Sequence, residues 1–75
     1  MNANQEMKNL STKEKHHFNV WGITITKHMK HDAQTIESCL KWGLNVSSIR
    51  VSAYVKLGLF NPDFDPSEYP PELFI

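Results

Sequence analysis

Phe18-Asn19-Val20-Trp21-Gly22-Ile23-Thr24-Ile25-Thr26 is the stretch on which the fold turns. Its last four residues alternate between isoleucine and threonine, and all four are β-branched. That is the pattern of a half-buried strand, so a short strand is expected here. Ile23 and Ile25 would share one face, and Gly22, Thr24 and Thr26 the other.

Downstream, Met29, Ala33, Ile36, Leu40 and Leu44 recur at steps of three and four. This predicts an amphipathic helix over about 29–44, with Cys39 at the edge of its apolar stripe as a small buried hydrophobe. Gly43 is placed to end it. Asn45-Val46-Ser47-Ser48 then opens a second segment over 49–60, which reads two ways. As a strand, Ile49, Val51, Ala53, Val55, Leu57 and Leu59 alternate. As a helix, Ile49, Ala53, Leu57 and Phe60 form one stripe, and Val51, Val55 and Leu59 a second. Twelve residues make a long strand for so short a chain, and a serine at 47 or 48 supplies an N-cap, so the helix is favoured.

Upstream, residues 1–17 are polar and lack hydrophobic periodicity, the mark of a flexible basic arm. Beyond Phe60, Asn61-Pro62 breaks the pattern. Residues 61–75 read NPDFDPSEYPPELFI, an acidic, proline-rich tail with apolar residues between its acids. Phe64, Tyr69, Leu73 and Phe74 in that setting suggest an arm that docks a protein partner.

The formal net charge of zero over 75 residues conceals a division. All eight bases (Lys8, Lys13, Lys15, Lys27, Lys30, Lys41, Arg50 and Lys56) fall in residues 1–60, against Glu6, Glu14, Asp32 and Glu37, a net +4. Asp63, Asp65, Glu68 and Glu72 give the tail −4. The basic part suits a polyanionic partner.

A chain of this length holds one small domain, and it has no apolar run of roughly 18 residues that would span a membrane. It carries no secretory signal pattern, so the expected compartment is the cytoplasm. Cys39 alone can build neither an internal disulfide nor a cysteine-based zinc site. His16, His17, His28 and His31 lack the further ligands of a metal cage, so no metal and no cofactor is expected. No phosphate loop, GxSxG motif or carboxylate pair is present, and an enzyme is not expected. Trp21 and Trp42 are expected to pack in a core or a dimer interface, with stacking on bases as the alternative.

The residues Ile23-Thr24-Ile25-Thr26, the helix over 29–42, Gly43-Leu44 and Ser47-Ser48-Ile49 follow one another in the order and spacing of a known pattern. From Trp21 to about Phe60 the chain resembles the ribbon-helix-helix DNA-binding family of Arc, MetJ and CopG type. The resemblance implies a mainly α domain over 18–60 with one short strand. Two copies would pair their strands into a two-stranded intermolecular antiparallel ribbon, making an obligate homodimer. It implies that Gly22, Thr24 and Thr26 read bases in the major groove, and that Lys27, Lys30, Lys41, Ser47, Ser48 and Arg50 hold phosphates. The function implied is a sequence-specific transcriptional repressor that binds double-stranded DNA, of antitoxin-like or plasmid and mobile-element type. The tail would then dock a toxin or a relaxase.

Two other readings compete. Thr35 to Tyr54 also resembles a helix-turn-helix, with Cys39, Gly43, Leu44 and Ile49 near its small, glycine and apolar positions. A strand at 49–60 would instead make a small βαβ interaction or inhibitor protein that binds a host protein rather than DNA.

Overall fold

Ser11 starts the first helix. In the computed structural model, which describes residues 9–23 and 26–75, its hydroxyl accepts from the Glu14 N–H at 3.1 Å. The Glu14 carboxylate accepts from the Ser11 N–H at 2.8 Å in return. This reciprocal cap satisfies two otherwise orphaned donors and opens α1, Thr12–Trp21. The helix ends at Gly22, whose φ of 70° is left-handed and therefore open to glycine at little cost. The Ile23 N–H closes the end by donating to the Phe18 carbonyl at 2.9 Å.

These caps overturn the expected ribbon. Gly22 ends a helix instead of facing a groove, and Thr26 is the first residue of the next helix, α2, Thr26–Lys41. Thr24 and Ile25 lie outside the described residues. Among the described residues there is no strand, only an isolated bridge between Val46 and Phe74. The ribbon-helix-helix fold and its intermolecular ribbon are thus contradicted. Four alternating β-branched residues carry a weak preference. The cap at Ser11 and the burial of Phe18 extend helix up to Trp21, and α2 has already begun at Thr26.

The predicted stripe of α2 holds: Met29, Ala33, Ile36 and Leu40 are buried. The helix begins three residues before the expected Met29 and ends at Lys41, so Leu44 lies beyond it and is exposed. The ambiguous segment 49–60 resolves as helix up to Leu57 and leaves it at Gly58. Here α3 spans Ser48–Leu57, with the Ser47 hydroxyl accepting from the Arg50 N–H and Gly58 at its end. Val51, Ala53 and Tyr54 are its buried residues.

The tail is laid against the helices. Two short 3-10 turns, Pro66–Glu68 and Pro71–Leu73, shape it. A ladder of rings runs from α1 through α3 into it: Phe18 to Tyr54 at 5.5 Å, Tyr54 to Phe60 at 6.1 Å, Phe60 to Phe64 at 4.4 Å and Phe64 to Tyr69 at 5.8 Å between centroids. Main-chain bonds then fix its end. Val46 N–H donates to the Leu73 carbonyl at 2.8 Å, and Ile75 N–H to the Val46 carbonyl at 2.9 Å. Ser48 donates through both its N–H and its hydroxyl to the Ile75 carbonyl. The core therefore closes within one chain, with α1 on one side and residues 60–75 on the other.

Candidate nucleic-acid interface

Each described carboxylate between residues 9 and 60 is drawn inward and given a partner. Glu14 is buried in its capping box and takes an ion pair from Lys56 at 2.7 Å. Glu37 is buried and accepts from the Asn61 side-chain amide at 3.1 Å. Asp32, on α2, accepts from the hydroxyl of the fully buried Tyr54 at 2.6 Å and from the Arg50 guanidinium at 3.3 Å. Arg50 also donates its Nε–H to His17 Nε2 at 3.1 Å, and its guanidinium lies 5.3 Å from the centre of the Trp21 ring. This network ties α1, α2 and α3 together. It also explains why Tyr54 is buried without leaving its hydroxyl unsatisfied.

The bases have the opposite disposition. Lys13, Lys15, Lys27, Lys30 and Lys41 are exposed, as are His16, His28 and His31. None of these lysines has a carboxylate partner among the described residues. Lys27, His28, Lys30 and His31 cover the outer side of the first turns of α2, just after the connection from Trp21. Lys13 and His16 sit one turn apart on α1. Neither helix has an exposed acid among its described residues, so the exposed side chains that carry charge on α1 and on the first turns of α2 are bases. Asp63, Asp65 and Glu68 gather elsewhere, in a groove with Lys41 at the far end of α2. About fourteen residues of helix separate Lys27 from Lys41, roughly 20 Å at the ordinary rise.

The residues expected to hold phosphate are therefore not brought together. Lys27 and Lys30 lie on the first turns of α2, and Lys41 sits among the tail's acids. Arg50 is half-buried and engaged by Asp32 and His17. Ser47 caps α3, and Ser48 is bonded to the Ile75 carbonyl, which covers the helix N-terminus. Of the expected base readers, Gly22 is a helix cap, Thr24 lies outside the described residues, and Thr26 opens α2. Phe64, Tyr69, Leu73 and Phe74, expected to meet a partner, are partly buried against the chain's own core. Trp21 and Trp42, expected in a core or dimer interface, are 65 % and 79 % exposed in the single chain. The contribution of Lys13, His16 and Trp21 from α1 is new. Its sequence signal is Ser11-Thr12-Lys13-Glu14, an S-x-x-E capping box that marks a helix start inside what reads as an arm.

Two titrating groups link this architecture to pH. Burial pushes the Glu14 carboxyl up, but the bonds from Lys56 and Ser11 outweigh it and hold the group below its ordinary 4.5. Its stabilisation is present above that value and is lost as pH falls through the lower folded value. Burial, then the neighbouring Arg50 charge, holds His17 below its ordinary 6.5, against the opposing pull of Asp32. The unfolded chain therefore takes up this proton first, and acidification through that range favours unfolding. The thermal midpoint is expected to drop between about pH 7 and about pH 5, and His17→Gln, which can still accept from Arg50, should flatten that drop. A wild-type midpoint constant over that range would contradict the placement of His17.

No family model matches the chain, and neither a curated protein nor a solved structure matches it. Among the described residues, no helix is long and apolar enough to cross a membrane.

Proposed function

We propose that this chain binds nucleic acid through the exposed bases of α1 and of the first turns of α2. One observation carries the reading: the described acids of the helical part are withdrawn into partnered positions, while its lysines stay at the surface. A scattered mixture of signs would be the ordinary arrangement of a solvated surface. Withdrawal of one sign produces a field that attracts phosphates and releases their counterions. The same reading places the protein in the cytoplasm, with its nucleic-acid partner.

Recognition through α3 in the manner of a helix-turn-helix is disfavoured. Its N-terminus is covered by the Ile75 carbonyl, and its exposed Val55 faces an apolar groove shared with the tail. Amide chemical-shift mapping tests where contact is made. Adding a 12-nucleotide DNA, single-stranded or duplex, should move Lys13, His16, Lys27, His28, Lys30 and His31. The groove residues Ser52, Val55 and Ser67 should stay still. Shifts concentrated in that groove, or no shifts with either DNA, would sink the proposal.

A further inference from the structure

The open side of α1 is unlike the rest of the exposed basic positions. Lys13, His16, His17, Val20 and Trp21 recur at steps of three, one, three and one, so they share one side of the helix. With Ile49 of α3 they line a surface pocket of about 220 Å³. The two buried residues of α1, Glu14 and Phe18, border that side next to Trp21. The pocket is thus lined by aliphatic side chains at Val20 and Ile49, an aromatic ring at Trp21, and the lysine and histidines Lys13, His16 and His17.

Trp21 is exposed but not loose. The Arg50 guanidinium lies 5.3 Å from its ring centre, and the His17 ring lies 6.2 Å away, tilted by 40°. Arg50 is itself fixed by Asp32 and His17. A large ring held in place costs little further ordering when something stacks on it. Trp42 is more exposed, and among the described residues no cation or aromatic ring braces it.

We infer that this pocket takes an unpaired nucleobase, stacked on Trp21, with the adjoining phosphate met by Lys13 and His16, so that the chain prefers single-stranded to duplex nucleic acid. The inference rests on the nucleic-acid reading above and names the form of the ligand. Charge complementarity selects this occupant. An apolar peptide would gain nothing from the lysine and histidines, whereas a base presents a flat apolar face beside a negative phosphate. In a duplex the base faces are already stacked on one another and cannot reach the ring.

The test compares a twelve-nucleotide oligothymidylate with a twelve-base-pair duplex at the same low salt. In a Trp42→Phe background, Trp21 is the sole tryptophan, and the oligothymidylate should quench its fluorescence while the duplex leaves it nearly unchanged. Trp21→Ala should reduce the preference for single strand over duplex about tenfold, the equivalent of roughly 1.4 kcal/mol of stacking. Trp21→Phe should retain most of the preference, and Trp42→Ala all of it. Circular dichroism verifies that each variant stays folded, as expected for exposed positions. If both DNAs bind equally and Trp21→Ala changes nothing, the stacking pocket is refuted while nucleic-acid binding stands. If neither DNA binds, both fail together.

Discussion

Removing residues 61–75 is expected to unfold the protein, not to leave a folded body with a lost docking arm. The tail contributes Phe64, Tyr69, Leu73 and Phe74 to the packing around Tyr54 and Phe60. Half-burial of each such side chain is worth on the order of 1–2 kcal/mol. Their sum is comparable to the whole stability of a chain this size, roughly 4–11 kcal/mol. The truncation also strips the partners of Val46 and Ser48, whose N–H groups donate to Leu73 and Ile75. Far-ultraviolet circular dichroism of the truncated chain should show most of the helix lost. Phe64→Ala in the full chain should lower stability by about 2–3 kcal/mol, since its ring lies 4.4 Å from Phe60 and 5.8 Å from Tyr69. A cooperatively folding 1–60 fragment would show that the tail only decorates the surface.

The tail also shows why some of the fold was legible in the sequence and some was not. Helix α2 was readable because Met29, Ala33, Ile36 and Leu40 repeat at helical spacing over several turns, and periodicity sustained that long is hard to imitate. The helical reading of α3 followed from Ser47 and the two stripes that begin at Ile49 and Val51. Helix α1 was hidden because its outward side carries Val20 and Trp21. Its apolar residues therefore do not form one stripe, and only Phe18 is a conspicuous anchor. The Ser11–Glu14 capping box is the available signal, and the alternation at Ile23–Thr26 competes with it. The packing of the tail has no local signature at all. Four prolines and four acids describe an extended segment equally well whether its aromatic residues meet a partner or the chain's own core.

The candidate site followed the same division. That residues 1–60 are basic was plain from the sequence, and so were Lys27 and Lys30. Which bases share a surface was not, because it depends on where the acids go. Asp32 reads as an ordinary acid at a helix start, and Arg50 as an ordinary phosphate ligand. In the fold each is the other's partner, together with Tyr54 and His17. Subtracting Arg50, Lys41, Ser47 and Ser48 from the expected set, and adding Lys13 and His16, moves the surface from α3 to α1 and the start of α2.

Replacing Lys13, Lys27 and Lys30 together by glutamine is expected to have the largest effect on binding. All three side chains are exposed, so stability should change by no more than about 0.5 kcal/mol per site. Each lysine that neutralises a phosphate contributes roughly 0.7 to the slope of log K against log salt on a single strand, and roughly 0.9 on a duplex. The triple variant should therefore lose about 2 from that slope on a single strand, which at 0.1 M salt corresponds to about a 100-fold loss of affinity. A change in stability would confuse this comparison, and the thermal midpoint of the variant checks for it.

The most direct measurement is that salt dependence, taken by fluorescence anisotropy with a labelled twenty-nucleotide DNA as single strand and as duplex. The account predicts wild-type affinity that falls steeply and linearly on logarithmic axes as salt rises, with a slope reduced by about 2 on the single strand in the Lys13, Lys27 and Lys30 variant. Affinity indifferent to salt, an unchanged slope in the variant, or no binding of either DNA at low salt would contradict it.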